Sequence, residues 1–168
     1  MKKIAKFEKV SYNQFKNDFM DSFPQYNEKE VEEIYHSIQL PKRATKGSAG
    51  YDFYSPIDFE LNPGQTIKIP TGIRVRIENG WVLGLYPRSG LGFKYRLQLN
   101  NTVGIIDSDY TGELCLIIDN TADYPCRLFH GERVAQLLIK KNEDVAFKVV
   151  KELKDTKRGS GGIGSTGK

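Results

Sequence analysis

The chain has 168 residues, a net charge of +4 and 39% hydrophobic residues, which suits one domain with a real core and excludes disordered or collagen-like classes. The longest unbroken apolar run, residues 114–118, is far short of a membrane span, and the basic residues 1–6 have no apolar stretch behind them, so neither a spanning helix nor a signal peptide is expected. Two cysteines, Cys115 and Cys126, make neither a disulfide framework nor a metal set, which points to a reducing, cytoplasmic setting.

Before Pro41 the sequence reads as helical. Ser11 is placed to cap a short helix whose Phe15 and Phe19 share one face at i, i+4 spacing. Asn27 followed three residues later by Glu30 has the form of a capping box, and Val31, Ile34, Tyr35 and Ile38 follow at helical spacing. Residues 1–40 therefore read as two short helices joined around Pro24, with Pro41 ending the second.

After Pro41 short β runs take over, at 50–54, 57–61, 65–69, 72–77, 80–87, 96–100, 103–107, 112–119, 125–129, 132–139 and 145–151. Turn signals at Asn62-Pro63-Gly64, Glu78-Asn79-Gly80 and Phe129-His130-Gly131 separate some of them, and a helical turn fits near residues 89–93. Many short strands at close spacing predict a sandwich or jelly roll. The organisation is a helical extension over 1–40, a β domain over 41–157 and a glycine-rich tail over 158–168.

Four segments carry chemistry, each with a plainer alternative. Pro87-Arg88-Ser89-Gly90, after an apolar strand, is an anion cradle or an ordinary polar turn. In Gly104-Ile105-Ile106-Asp107-Ser108-Asp109-Tyr110-Thr111-Gly112, Asp107 ends an apolar strand as a base acting on water requires, and Tyr110 offers a flat face to a sugar. The same stretch also fits an acidic turn with Asx bonds. In Gly131-Glu132-Arg133-Val134-Ala135-Gln136, Arg133 suits internal hydrogen bonds or an interface ion pair, while the role of Gln136 stays open. The tail from Arg158 has the composition of a phosphate-binding loop without being a Walker A, or of a flexible end. His36 and His130 have no partners at ligand spacing and read as structural.

Together with Ala49-Gly50-Tyr51-Asp52, these segments resemble, in order, the five motifs of the trimeric dUTPases, from about Pro41 to Lys168. The resemblance implies an all-β, dUTPase-like jelly roll or β-clip, a homotrimer with shared active sites, and hydrolysis of dUTP to dUMP and pyrophosphate. That reaction limits uracil in DNA and supplies dUMP for dTMP synthesis. By resemblance, Asp107 activates the water that attacks the α-phosphorus, and Tyr110 lies under the deoxyribose and rejects a 2′-hydroxyl. Asn101 and the main chain of the surrounding hairpin, Gly104, Ile105, Ile106 and, across it, Cys115, would read the uracil edge. Arg88, Ser89 and Gly90 match phosphate contacts, and Gln136 a residue beside the α-phosphate or the catalytic water. Arg158 with Gly164, Ser165 and Thr166 would close over the β- and γ-phosphates. Mg2+ would be held by the triphosphate and water, with no direct protein ligand and Asp52 at most acting through a water.

Two features depart from the family pattern. Ile163 stands where the family tail carries a phenylalanine that stacks on uracil; either Ile163 covers the base less well, a loss of about 0.5–1.5 kcal/mol, or an aromatic from elsewhere replaces it. The extension over 1–40 lies outside the common core; its balanced charge suits packing or a regulatory protein partner rather than nucleic acid. A dCTP deaminase relative is the nearest rival. It would need a glutamate where Ile117 stands and an arginine where Ile105 stands. The other rival is a dUTPase scaffold with an added regulatory role.

Overall fold

Ala5-Lys6-Phe7-Glu8-Lys9 alternates apolar and charged residues, and in the computed structural model, which describes residues 3–162, it forms a strand, β1 (Ala5–Lys9). The extension is therefore not two helices alone, as its sequence suggests. It opens with a strand paired antiparallel to β5 (Ile73–Ile77), with Phe7 opposite Val75. Helix α1 (Tyr12–Ser22) starts where expected: Ser11 Oγ accepts the Gln14 N–H at 3.2 Å. Helix α2 (Glu28–Ser37) carries the predicted capping box, with Asn27 and Glu30 bonding reciprocally at 2.8 and 3.1 Å.

The remaining strands are β2 (Tyr51–Tyr54), β3 (Phe59–Leu61), β4 (Thr66–Pro70), β6 (Trp81–Pro87), β7 (Leu97–Leu99), β8 (Gly104–Ile106), β9 (Cys115–Asn120), β10 (Cys126–Leu128) and β11 (Arg133–Lys141). A seven-residue helix, α3 (Ser89–Tyr95), replaces the turn expected there. The three predicted turn glycines, Gly64, Gly80 and Gly131, all take positive φ, the conformation that glycine adopts without steric cost. Residues 145–151 form no strand. Their alternating pattern finds no sheet edge, and Phe147 and Val149 are 92% and 96% exposed.

Among the described residues every pairing is antiparallel. One sheet runs β2-β11-β6-β8 and a second β4-β9-β7, with two-stranded ribbons β1-β5 and β3-β10 beside them. One apolar core joins the layers: Phe53, Leu83 and Leu137 come from the first sheet and Ile69, Leu97 and Leu116 from the second. Phe15, Phe19 and Val31 of the extension are wholly buried in that same core. Among the described residues, no helix is long and apolar enough to cross a membrane.

Candidate active site

Strands β8 and β9 were expected as the arms of one hairpin, yet they belong to different sheets. β8 pairs with β6, whereas β9 pairs with β4 and β7. Between β8 and β9 lies a pocket of about 390 Å³, lined by Asn101, Gly104, Ile105, Ile106, Asp107, Tyr110, Glu113, Cys115 and neighbouring leucines. As an edge strand, β8 turns the N–H and C=O groups of alternate residues away from β6. A planar ring entering edge-on can take the place of the missing strand.

Tyr110 closes one end of this pocket. Its Oη–H donates to the Glu113 carbonyl at 2.8 Å, and 45% of the residue stays accessible. Burial, then Cys115 and Glu113, push its hydroxyl pKa upward, so it stays protonated and keeps donating. Gly112 makes the ring's position possible, because a Cβ there would lie 2.6 Å from Tyr110 Oη and 2.8 Å from Cζ. Gly112→Ala is therefore expected to displace the ring and raise the KM of the natural nucleotide about tenfold or more. Steady-state kinetics checks this; an unchanged KM would remove Tyr110 from substrate binding.

Asp107 is not held by a buried strand. Only Ile106 of β8 is buried, and Ile105 is 67% exposed. The following turn fixes Asp107 instead, through the Tyr110 N–H to the Asp107 carbonyl at 3.2 Å. Neither Asp107 nor Asp109 makes an Asx bond among the described residues. The Asp107 carboxylate is exposed and makes no ion pair among the described residues. Cys115, though exposed on β9, offers no ready thiolate: desolvation by its surroundings, then Glu113, push its thiol up to about 11.

A second cluster forms across β2, β11 and β6, where the register puts Gln136 opposite both Asp52 and Tyr86. Buried Asp52 lies between two guanidiniums, 3.5 Å from Arg88 Nε and 3.3 Å from Arg133 Nη1. Arg88 Nη1 also donates to the Arg133 carbonyl at 3.3 Å. A β-bulge between Arg133 and Ala135 breaks the two-residue alternation, which lets Arg133 and Gln136 serve the same cluster. Gln136 Nε2 donates to the Pro87 carbonyl at 3.1 Å, and Gly50 leaves its side chain room: a Cβ there would sit 2.8 Å from Oε1. Ser89 and Gly90 are exposed at the start of α3.

The two halves of the predicted site do not meet. Leu83 lies opposite Ile106, so Asp107 flanks Val82, whereas Arg88 follows β6 at its far end. Six residues of strand separate them, roughly 20 Å at 3.3 Å per residue. Arg158 is exposed, its Nε donating to the Gly161 carbonyl at 2.8 Å, and Ile163, Gly164, Ser165 and Thr166 lie outside the described residues. Sequence reasoning missed Glu113. Its signal was an acidic residue inside a run expected to be a core strand.

An all-β scaffold that presents main-chain groups in a pocket, a free carboxylate and a guanidinium cluster has the outline of a small-molecule phosphohydrolase. Residues 36–167 match the dUTPase family profile. The deoxyuridine 5'-triphosphate nucleotidohydrolase of Dictyoglomus turgidum is 43% identical over 141 residues, covering 82% of this chain and 96% of that protein. Its counterpart in Acinetobacter baumannii is 45% identical over 132 residues, covering 77% and 88%. Among solved structures, the Staphylococcus bacteriophage 80alpha dUTPase with dUpNHpp has a TM-score of 0.70 at 31% identity, covering 78% of this chain and 93% of that one. The Streptococcus mutans dUTPase has a TM-score of 0.62 at 28% identity, covering 84% and 98%. The chain belongs to the dUTPase family. It is a dUTP diphosphatase, hydrolysing dUTP to dUMP and pyrophosphate, on the jelly-roll or β-clip fold of that family.

Proposed function

We propose that the pocket between β8 and β9 takes the deoxyuridine and that Asp107 activates the water attacking the α-phosphorus. The observation that carries this reading is the convergence of Asn101, Gly104, Ile105, Ile106, Asp107, Tyr110 and Cys115 on that one cavity. Asn101 and the main chain of β8 and β9 read the uracil edge, and the Tyr110 ring packs beneath the deoxyribose. Cytosine presents the opposite donor and acceptor at its fourth position and leaves buried polar groups unpaired.

Arg88, Ser89, Gly90 and Gln136 contact the phosphates from a neighbouring copy of the chain. The separation of roughly 20 Å between Arg88 and Asp107 along β6 favours this arrangement. So do the exposed apolar side chains of Val145, Phe147 and Leu153, which have a strand-like pattern and no sheet of their own. The assembly is a homotrimer, each site shared between subunits. The tail completes it, Arg158 with Gly164, Ser165 and Thr166 covering the β- and γ-phosphates and Ile163 standing over the base.

Magnesium is the expected cofactor. The dUTPase of phage phi11 is described with a coordinated structural Mg(II) ion. Here, among the described residues, no three His, Cys, Asp or Glu side chains gather into a metal cage, and Asp52 is committed to Arg88 and Arg133. The triphosphate would carry the ion, which neutralises phosphate charge, and Asp52, held by Arg88 and Arg133, would reach it only through water. The enzyme acts in the cytoplasm.

A second, added role is favoured by one relative: the phage 80alpha dUTPase is described as controlling transfer of virulence genes. In this chain the apolar faces of α1 and α2 are spent on the core, so a regulatory partner would have to read their outer polar faces.

Pyrophosphate release from dUTP, dCTP, dTTP and UTP with magnesium tests the reading. Turnover of dUTP alone is the expected result; equal turnover of UTP would remove the sugar contact, and of dCTP the base contact.

A further inference from the structure

Helix α1 reaches the nucleotide pocket through one buried carboxyl. Glu113 is 7% exposed, and its two carboxylate oxygens are treated differently. Oε1 accepts the N–H of Gly72, in the turn between β4 and β5. Oε2 is buried and meets no N–H or O–H donor. What faces the Glu113 carboxyl from α1 is the carboxyl of Asp18, itself an acceptor when ionised. Asp18 is only partly buried, and its Oδ2 also accepts from Gln14 Nε2 at 2.5 Å; two carboxyls in contact are satisfied by one proton held between them.

The same residue holds Tyr110. Its carbonyl accepts the Tyr110 hydroxyl, and its neighbour Leu114 is fixed by an N–H bond to the Ile73 carbonyl at 2.8 Å. The extension also packs directly on the Gly72 turn. The Val10 N–H donates to the Gly72 carbonyl at 2.9 Å, and a Cβ on Gly72 would lie 2.2 Å from Ile38 and 3.2 Å from Phe15. A continuous chain of contacts therefore runs from α1 through Gly72 and Glu113 to the tyrosine at the sugar end of the pocket.

We propose that Asp18 and Glu113 share one proton, and that this carboxyl pair makes them positioning residues for Tyr110, so that the N-terminal extension sets the shape of the nucleoside pocket. The inference rests on the reading of that pocket as the deoxyuridine site. Burial first, then Asp18, raise the Glu113 pKa to about 8, while the bond to Glu113 lowers that of Asp18. The other groups facing the pair are Lys68 on β4, which opposes the rise, and Cys115 and Tyr110, both protonated in this range. As pH passes through about 8 the shared proton leaves, two carboxylates repel, and Glu113 shifts beneath Tyr110.

The test uses the full-length enzyme and dUTP and UTP as substrates, from about pH 6.5 to 9. In the wild type the KM for dUTP is expected to rise across this range. Asp18→Asn supplies an N–H donor that does not titrate, so its KM should stay near the wild-type value at neutral pH and lack that rise. Titration of the nucleotide itself is common to both proteins and cancels in the comparison. Asp18→Ala is expected to raise the KM about tenfold and narrow the preference for dUTP over UTP, with kcat within about twofold. If wild type and Asp18→Asn keep the same pH profile, or Asp18→Ala keeps the wild-type KM and selectivity, the inference is overturned while dUTP hydrolysis stands. Failure of the underlying reading looks different: Tyr110→Ala would then leave the KM and the dUTP preference of the wild type unchanged.

Discussion

Asp107→Asn is expected to lower kcat for dUTP by about 10²–10⁴-fold, the contribution of a positioned general base, while KM changes little. The amide keeps the shape of the carboxylate but cannot take a proton from water. Because Asp107 is exposed and makes no ion pair among the described residues, its replacement should leave stability unchanged. Pyrophosphate release measures the loss, and a variant retaining full kcat would move the base elsewhere. The shared-site arrangement adds a second result from the same protein. Subunits carrying Asp107→Asn, unfolded and refolded with an equal amount carrying Arg88→Ala, should regain about a quarter of wild-type activity. In a random assembly that fraction of sites draws an intact Asp107 from one subunit and an intact Arg88 from another. No recovery would place both residues in one chain's site.

Phe19→Ala is the substitution expected to cost most in stability, about 3–5 kcal/mol. Phe19 is wholly buried, and its ring lies 5.1 Å from Phe15, 4.9 Å from Phe23 and 5.4 Å from Tyr26. Removing it opens a cavity where the extension meets the β layers, which cannot collapse without moving α1 off β4. At about 2–4 °C per kcal/mol for a chain of this size, the melting temperature should fall by roughly 6–20 °C in a single transition. A fall of only a degree or two, or two separate transitions, would mean that residues 1–40 fold independently of the strands.

Local signals in the sequence were reliable. Ser11, the Asn27–Glu30 box and the three glycine turns each act within four residues, so chain order alone specifies them. Most strands were legible for the same reason, through alternation such as the buried-exposed pattern of Ile73–Ile77. β1 has the same alternation but only five residues and a basic lead-in, too little to set it apart from a helical approach. Residues 145–151 show the converse: a strand pattern records a preference, and a strand also needs an edge to join. Long-range polar pairs were invisible. Nothing in the sequence joins Asp52 to Arg88 and Arg133, or Asp18 to Glu113; only the fold brings them together. The motif order singles out Asp107 and Tyr110 as candidates, while the Glu113 carbonyl that accepts the Tyr110 hydroxyl belongs to a residue no motif names.

The pairing of β1 with β5 governs how the chain matures during synthesis. Residues 5–9 leave the ribosome well before Ile73–Ile77, and Phe15 and Phe19 must wait longer still for Leu116 to close the core around them. At about 5–20 residues per second the nascent chain carries this aromatic cluster uncovered for several seconds. Such non-local closure is slow, and exposed rings in an incomplete chain invite aggregation or capture by a chaperone. Residues 5–23 are thus secured only after strands made much later in the chain have emerged.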